Sequence, residues 1–393
     1  MSNAPVTVGA ARWLTPSLLI DLVRDNPGIT RAAAAQHLGI GSGAATELMT
    51  RLRRAALLDE TPAPASGRGR PTSILHVHPD GPVVVTAELN ATGWRVATAE
   101  IDAVPHVQVT STKLCATPEL TLAEIATAIG GLPARDKHRV RAISVSVAGT
   151  IRDDKLAQLT ALGWTDVDLA PLATHLTTAG PVPMLLGNDA TLGGLAEART
   201  GSARGVGTAL HLLIAVGLGG ALIVDGLPVI GAHGGAGEYG HIPFGDRAQQ
   251  CPCGAHGCWN LSIDGGALAV YRGDPPPDNP VEYARRLLSD TTSTRTQDAV
   301  REVATSLGRG IAGLVNLHDP DVVTLGGLAA AVRAAAPETL ERAYTSGLMS
   351  FRKVLPPRII DGIHGDEGPL RGAAIRGIDH ITTPDALAEW ADR

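Results

Sequence analysis

The sequence is short of aromatic residues: two Phe, four Tyr and five Trp make up 3% of its 393 positions. Few flat faces are therefore on offer for stacking against a ligand or a base. Cysteine is scarcer still, four in all, which excludes a disulfide-stapled scaffold. Lysine is almost missing. Lys113, Lys137, Lys155 and Lys353 are the only lysines among 33 basic residues, the rest being Arg. Beside so much Ala and Gly this points to a coding bias, so single arginines carry less weight than usual. No apolar run is long enough to cross a bilayer, and the opening "MSNAPVTVGAARW" lacks the basic-then-apolar pattern of a secretory signal. Both absences predict a cytoplasmic protein with no membrane partner. The net charge of −6 excludes a protein that coats nucleic acid indiscriminately.

What is present divides into three parts, as a chain too long for one ordinary core should. Residues 1–80 hold eight Arg against six acidic residues, the sign expected of a small DNA-binding module on an acidic body. From Leu14 to Asp59 the pattern is helical. Leu18, Leu19, Leu22 and Val23 share one face of a first helix that Pro27 and Gly28 end. Thr30 suits the N-cap of a short Ala-rich helix, Gly39 a tight turn, and Ala45, Leu48, Met49 and Leu52 the buried stripe of a third helix. This spacing describes a helix-turn-helix, with a plain helical bundle as the alternative. The stretch "PAPASGRGRPTSILHVHP" then leads through a flexible, basic loop into an alternating strand, which reads as a wing or, more simply, a linker. In a wing, Arg68 and Arg70 suit the negative potential of a narrow minor groove. The third helix offers Ser42, Thr46 and Arg51 to base edges, beside the acidic Glu47. Base reading is therefore modest, and the wing and phosphate contacts carry more of the binding.

From Val83 onward strands and helices alternate. "GPVVVTAELNATGWRVATAEID" reads as two strands turning at Ala91–Gly93, "VRAISVSVAG" as a buried strand, and "VPMLLGNDATLGGLAEART" as a strand, polar turn and helix. "TALHLLIAVGLGGALIVDG" is a second pair of strands about a glycine-rich bend, and "DVVTLGGLAAAV" another strand–helix passage. Two such sets predict two α/β lobes with a cleft between them. "RGDPPPDNPVEYARR" reads as a mobile surface loop.

Three of the four cysteines crowd into "CPCGAHGCW": Cys251, Cys253 and Cys258, with His241 ten residues upstream in "GEYGH". Three thiolates and an imidazole complete a tetrahedral set for Zn2+. A disulfide fits poorly, since three clustered thiols leave one unpaired. A full set leaves no open position for water, so the zinc is expected to be structural.

The run "GLGGALIVDGLPVIGAHGGAGEYGH" followed by "CPCGAHGCW" resembles the ROK family of bacterial repressors, uncharacterised reading frames and sugar kinases. The resemblance spans roughly residues 82–375 and takes in "LGW" at 162–164, "GNDA" at 187–190 and "TLGG" at 324–327. It implies a two-lobed α/β actin-like (ribonuclease H-like) ATPase fold with a zinc loop, behind an N-terminal winged helix-turn-helix that distinguishes the family's repressors from its kinases. The expected division is 1–80 for the DNA-binding unit, 81–190 with 370–393 for the first lobe, and 191–369 for the second. Asn188 and Asp189 match the pair whose Asp serves the kinases as base toward a sugar hydroxyl; in a non-catalytic protein that carboxylate would simply hold the sugar. Glu238 matches the sugar-binding Glu of the E-x-G-H motif, and His241 the zinc ligand close to the sugar. Asn260, in "GCWN", stands where the family's zinc loop has a sugar-binding Glu. Trp164, Trp259 and Tyr239 either line the cleft or pack beside it.

The phosphate side departs from the family. Its kinases open with a D-x-G-G-T hairpin, where this chain reads "ELNATG" with Glu88 for the Asp and Asn90 and Ala91 for the glycines. The second loop, usually G-T-G-x-G-G-G, reads "AVGLGGA" with Val216 for the Thr. A side chain at a close-approach glycine excludes a phosphate. The resemblance therefore predicts a regulator rather than an enzyme. Expected partners are operator DNA, a sugar or sugar-derived effector, and further copies of the chain in a homodimer or homotetramer. Two alternatives stand beside it: an ATP-dependent sugar kinase with a DNA-binding appendage, and a repressor whose pocket is vestigial. The residues do not separate a repressor from an activator.

Overall fold

The computed structural model describes residues 8–63, 73–176, 182–290 and 292–392. A short helix α1 (Val8–Ala11) leads into α2 (Leu14–Asp25), α3 (Arg31–His37) and α4 (Ser42–Arg54). Thr30 starts α3 as expected, its hydroxyl accepting the N–H of Ala33 at 3.2 Å. Gly39, at φ +65°, makes the turn toward α4. The buried stripe of α4 is Ala45, Leu48, Met49 and Leu52. That of α2 is Leu19, Ile20 and Val23, while Leu18 is 50% exposed. The inward face of α2 is set by what packs on it, including Leu387 and Trp390 from the far end of the chain. The helical pattern also stops short of Asp59. Ala56 takes a left-handed φ of +52°, Leu57 and Leu58 turn into the core, and β1 (Leu58–Pro62) pairs antiparallel with β2 (Ser73–Val77). Arg68 and Arg70 fall outside the described residues.

The remaining chain builds two sheets of the same plan. The first runs through β3 (Val83–Asn90), β4 (Gly93–Ala99), β5 (Pro105–Ser111), α5 (Pro118–Gly130), α6 (Ala134–Arg139) and β6 (Val140–Val147). A small sheet follows, of β7 (Thr150–Arg152), β8 (Lys155–Leu159) and β9 (Trp164–Val167), before β10 (Met184–Asn188) and α7 (Asp189–Thr200). The order of the large sheet is β10-β6-β3-β4-β5. Around β3, a hairpin lies on one side and parallel strands on the other. The second run holds β11 (Thr208–Ile214), β12 (Leu218–Val224), β13 (Leu227–Pro228), α8 (Gly265–Arg272), α9 (Pro280–Leu288), α10 (Thr294–His318) and β14 (Val322–Gly327). It finishes with α11 (Leu328–Ala335), α12 (Pro337–Gly347), β15 (Arg358–Asp361), α13 (Gly368–Ile381) and α14 (Pro384–Ala391). Its order, β13-β12-β11-β14-β15, repeats the plan about β11.

The two helices that follow these sheets exchange partners. α7 packs on β11 and β12, α13 packs on β3 and β6, and the helices pack on each other. Their contact is backbone to backbone, since a Cβ at Gly372 would sit 1.9 Å from the Leu192 carbonyl oxygen. α14 returns to the N-terminal unit, where Trp390 Nε1 donates to the Ala55 carbonyl at 2.6 Å. Half of the expected loop at 272–286 is helix. Asn279 caps α9 by accepting the Glu282 N–H at 3.1 Å, with Pro280 in the first turn. Among the described residues no helix is long and apolar enough to cross a membrane.

Candidate functional site

His241 ends a short 3-10 turn (Tyr239–His241), and the three cysteines stand on the tight loop that follows it. Backbone bonds fold that loop on itself: Cys251 N–H to Ala255 O at 2.8 Å, Gly254 N–H to Cys251 O at 2.9 Å, and Gly257 N–H to Gln249 O at 2.9 Å. The four side chains converge, each offering a ligand atom within 4.8 Å of the others. Zn–S bonds of about 2.3 Å at a tetrahedral angle place ligand atoms about 3.8 Å apart. Cys253 Sγ and Cys258 Sγ are 3.7 Å apart, and Cys251 Sγ lies 3.8 Å from His241 Nδ1. The cluster is thus shaped to hold a metal ion. Burial raises the thiols of Cys251 and Cys258, the latter to about 12; a bound dication would reverse that and favour the thiolates. Trp259 belongs to the packing of this region. It is fully buried, with its ring 5.9 Å from that of Phe244.

Beside the cluster opens a cleft of about 590 Å³, lined from both sheets and including Asn188, Asp189, Glu238, His241 and Asn260. Asp189 is the first residue of α7. Burial pushes its carboxyl up to about 7 against the Ala190 N–H, which donates to Oδ1 at 2.8 Å, and nearby Glu88 and Glu238 add to the rise. Glu238 accepts the Thr150 hydroxyl at 2.8 Å. Asn188 is the N-cap of α7, its Oδ1 accepting Thr191 N–H at 3.0 Å and its Nδ2 donating to Gly149 O at 3.2 Å. Asn260 Oδ1 accepts Leu218 N–H at 2.6 Å and so pins the β11–β12 bend. Both asparagines line the cleft, the Asn188 amide spent on the protein itself and the Asn260 oxygen on the Leu218 N–H.

A model of the ROK family matches residues 94–378, well over half of the chain. The chain belongs to the ROK family. Among its relatives, a xylose repressor from Bacillus subtilis is 22% identical over 377 residues, covering 93% of this chain and 94% of that protein. A glucokinase from Streptomyces coelicolor is 26% identical over 290 residues, covering 69% of this chain and 89% of the kinase. Among solved structures, a ROK family transcriptional regulator described as a homologue of E. coli Mlc superposes with a TM-score of 0.74 at 19% identity, over 97% of this chain and 99% of that one. A ROK family glucokinase from Streptomyces griseus in complex with glucose and AMPPNP gives 0.63 at 21% identity, over 75% of this chain and 98% of the other. These likenesses show that the ROK actin-like fold extends through both sheets.

Side chains close the turn of the β3–β4 hairpin and the bend between β11 and β12. Glu88 and Arg95 are register partners across the β3–β4 hairpin. The Glu88 carboxylate accepts Arg95 Nε at 3.1 Å, Arg95 Nη2, and Asn90 Nδ2 at 3.2 Å. Asn90 Oδ1 then accepts both the N–H of Thr92 at 2.9 Å and its hydroxyl at 2.8 Å. Arg95 reaches on to Glu367 and to the Asp366 carbonyl, and Arg285 on α9 pairs with the Asp366 carboxylate. Sequence reasoning singled out Glu88 but missed Arg95, Arg285, Asp366 and Glu367. Arg95 was accessible to it, because a turn at Ala91–Gly93 sets 95 opposite 88, whereas Glu367 lies 272 residues from Arg95. On the N-terminal unit, Ser42 and Thr46 are exposed on α4. Thr46 donates its hydroxyl back to Ser42 O at 2.9 Å, and Arg51 is half-buried and donates to Arg12 O at 3.0 Å.

Proposed function

We propose that this protein is a sequence-specific DNA-binding transcriptional repressor whose ROK domain senses a sugar or sugar derivative. The observation that carries this reading is coverage. One regulator structure matches 97% of this chain and the Bacillus subtilis repressor 93%, whereas the glucokinase structure matches 75% and leaves a part of the chain unaccounted for. The N-terminal part, in which α2, α3 and α4 follow the short α1 and lead into a two-stranded antiparallel ladder, supports reading this unit as a winged helix-turn-helix. In this reading residues 1–80 bind operator DNA, with Ser42 and Thr46 on the helix and Arg68 and Arg70 in the wing. Arg51 contributes less, being held by Arg12. Residues 81–190 with 370–393 and residues 191–369 form the lobes that hold the effector. Asp189 and Glu238 accept its hydroxyls, with Asn188, His241 and Asn260 shaping the walls.

Zn2+ held by His241, Cys251, Cys253 and Cys258 has a structural role, cross-linking the loop that carries one wall of the cleft. The molecule works in the cytoplasm as a dimer or tetramer, matching the two-fold symmetry of operators. Selection of bound duplexes from a random DNA pool tests the reading. Enrichment of a palindromic motif, lost when Arg68 and Arg70 are both changed to Ala, is the expected outcome. No enrichment, with or without sugars, would refute it.

A sugar kinase is the second reading, and Asp189 favours it: a carboxyl titrating near 7 suits a general base. ATP-dependent phosphorylation of any hexose, lost in Asp189→Ala, would establish that reading. A repressor with an unused pocket would bind operator DNA and respond to no sugar.

A further inference from the structure

The buried stripe of α4 leaves the opposite face of that helix to solvent. Gly43, Thr46, Glu47, Thr50 and Arg54 recur on it at the spacing of successive turns, and all five are exposed. The two threonines spend their hydroxyl protons inside the helix. Thr46 Oγ1 donates to Ser42 O at 2.9 Å, and Thr50 Oγ1 to Thr46 O at 2.8 Å. Neither has a proton left to give outward, which leaves the γ-methyl as the outward group of each. Gly43 adds a flat place among them. A Cβ there would meet no atom of the protein within 4 Å, and its φ is not left-handed, so nothing inside the fold requires glycine. Glycine weakens a helix relative to Ala. At this position it lets an outside surface come close to the backbone.

The charged groups near this face are sorted as unevenly. Arg31 is held by Glu60 at 3.1 Å, Arg53 by Asp59 at 2.7 Å, and Arg51 by the Arg12 carbonyl at 3.0 Å. Glu47 stands mid-face with its side chain 80% exposed, and Arg51 Nη2 lies 3.9 Å from it, beyond hydrogen-bond reach. Its carboxylate can only accept. In the major groove a guanine presents two acceptors, and the middle of this face has no donor for them. Adenine places an acceptor beside its amino group, which repels a carboxylate. Cytosine presents its amino group alone, and thymine a methyl. The face of α4 is complementary to these last two.

We infer that α4 reads thymine by its 5-methyl group, through Thr46 and Thr50, and cytosine by its amino group, through Glu47. This rests on the DNA-binding reading above and adds to it the base edges that the helix selects. An acid on a helix that enters a groove between phosphates lowers affinity for every duplex. Glu47 returns that loss as discrimination, since only a base that donates to it relieves the repulsion. Gly43 admits the helix to the depth at which methyl meets methyl. Arg54, exposed at the far end, suits a phosphate, a contact that positions the helix without selecting a base.

The test uses the full-length protein, first to select duplexes from a random pool and then to titrate the best of them by fluorescence anisotropy. Replacing one thymine at a time by deoxyuridine removes the methyl and keeps the base pair. The wild type should lose about fourfold in affinity at each of two thymines per half-site. The double variant Thr46→Ser, Thr50→Ser keeps both hydroxyls and should bind the thymine and deoxyuridine duplexes alike. Selection with Glu47→Gln should exchange cytosine for adenine at one position of the half-site, because a carboxamide pairs with adenine N6 and N7 together. A motif whose deoxyuridine forms bind the wild type as tightly as the parent would overturn the inference and leave the DNA-binding reading standing. So would a motif that Glu47→Gln leaves unchanged. Enrichment of no motif at all, with or without sugars, would sink the DNA-binding reading and the inference with it.

Discussion

Asp189 keeps its proton to about pH 7 because the fold buries it beside Glu88 and Glu238. In the unfolded chain it loses that proton near the ordinary carboxylate value of about 4, so the folded state binds more protons between these limits. Its contribution to stability is therefore complete below about pH 4 and is lost as the pH rises through about 7, a swing of roughly 4 kcal/mol. Asp264, raised by burial to about 6, acts in the same direction. Asp189→Asn should flatten the fall in stability, which urea unfolding at about pH 4.5 and pH 7.5 would measure. At the metal cluster, Cys253→Ser should release one zinc per chain and lower the melting temperature, read by elemental analysis and thermal denaturation. A wild-type protein purified without metal would contradict this. The cluster could be anticipated from sequence because ligand spacing is a local property of a short loop. The partners of Asn260 and Asn188 could not, because whether an amide faces a ligand or a backbone N–H depends on how two distant segments meet.

At the scale of elements, a buried guanidinium is one of the ties that fasten the N-terminal unit to the body. Arg24 on α2 has a side chain only 2% exposed and bonds Asp21 at 2.9 Å and Asp379 of α13 at 2.7 Å. Arg199 of α7 joins the same Asp379 at 2.9 Å. Arg24→Met would take the partner from Asp21 and leave Asp379 to Arg199 alone, and should lower stability in urea unfolding by about 1–2 kcal/mol. Gly372→Ala should be more damaging, about 3 kcal/mol, because the new methyl would force α13 off the Leu192 carbonyl. Element types were legible where a pattern is self-contained: the Thr30 cap, the α4 stripe, the hairpin at Ala91–Gly93. They were misread where tertiary contacts decide. Leu57 and Leu58 continue a helical pattern but leave the helix to fill a core shared with α14. "RGDPPPDNPVEYARR" looks like a loop because of its prolines, yet the Asn279-Pro280 pair starts a helix there.

For the molecule as a whole, one face is conspicuously apolar. Val354 and Leu355 are 86% and 82% exposed, with Phe351, Met349 and Leu317 also open to solvent. Asn316 ties this segment to α10 by bonding Gly347 O at 3.0 Å and Met349 N–H at 3.1 Å. Apolar surface gathered in this way suits a second copy of the chain. Val354→Asp with Leu355→Asp should leave the fold intact, shift the sedimenting species to monomer and weaken operator binding; an unchanged mass at every concentration would count against that face. A second whole-molecule feature concerns distance. Asp189, at the start of α7, and Pro369, at the start of α13, both line the cleft, and both helices end where Arg199 and Asp379 grip Arg24. A helix of 12 residues is a rod of about 18 Å, and a tilt of about 5° at one end moves the other by roughly 1.5 Å. That is more than the slack in a 2.7 Å ion pair. Any ligand that rocks α7 by so little is working a lever whose short throw ends under the N-terminal unit.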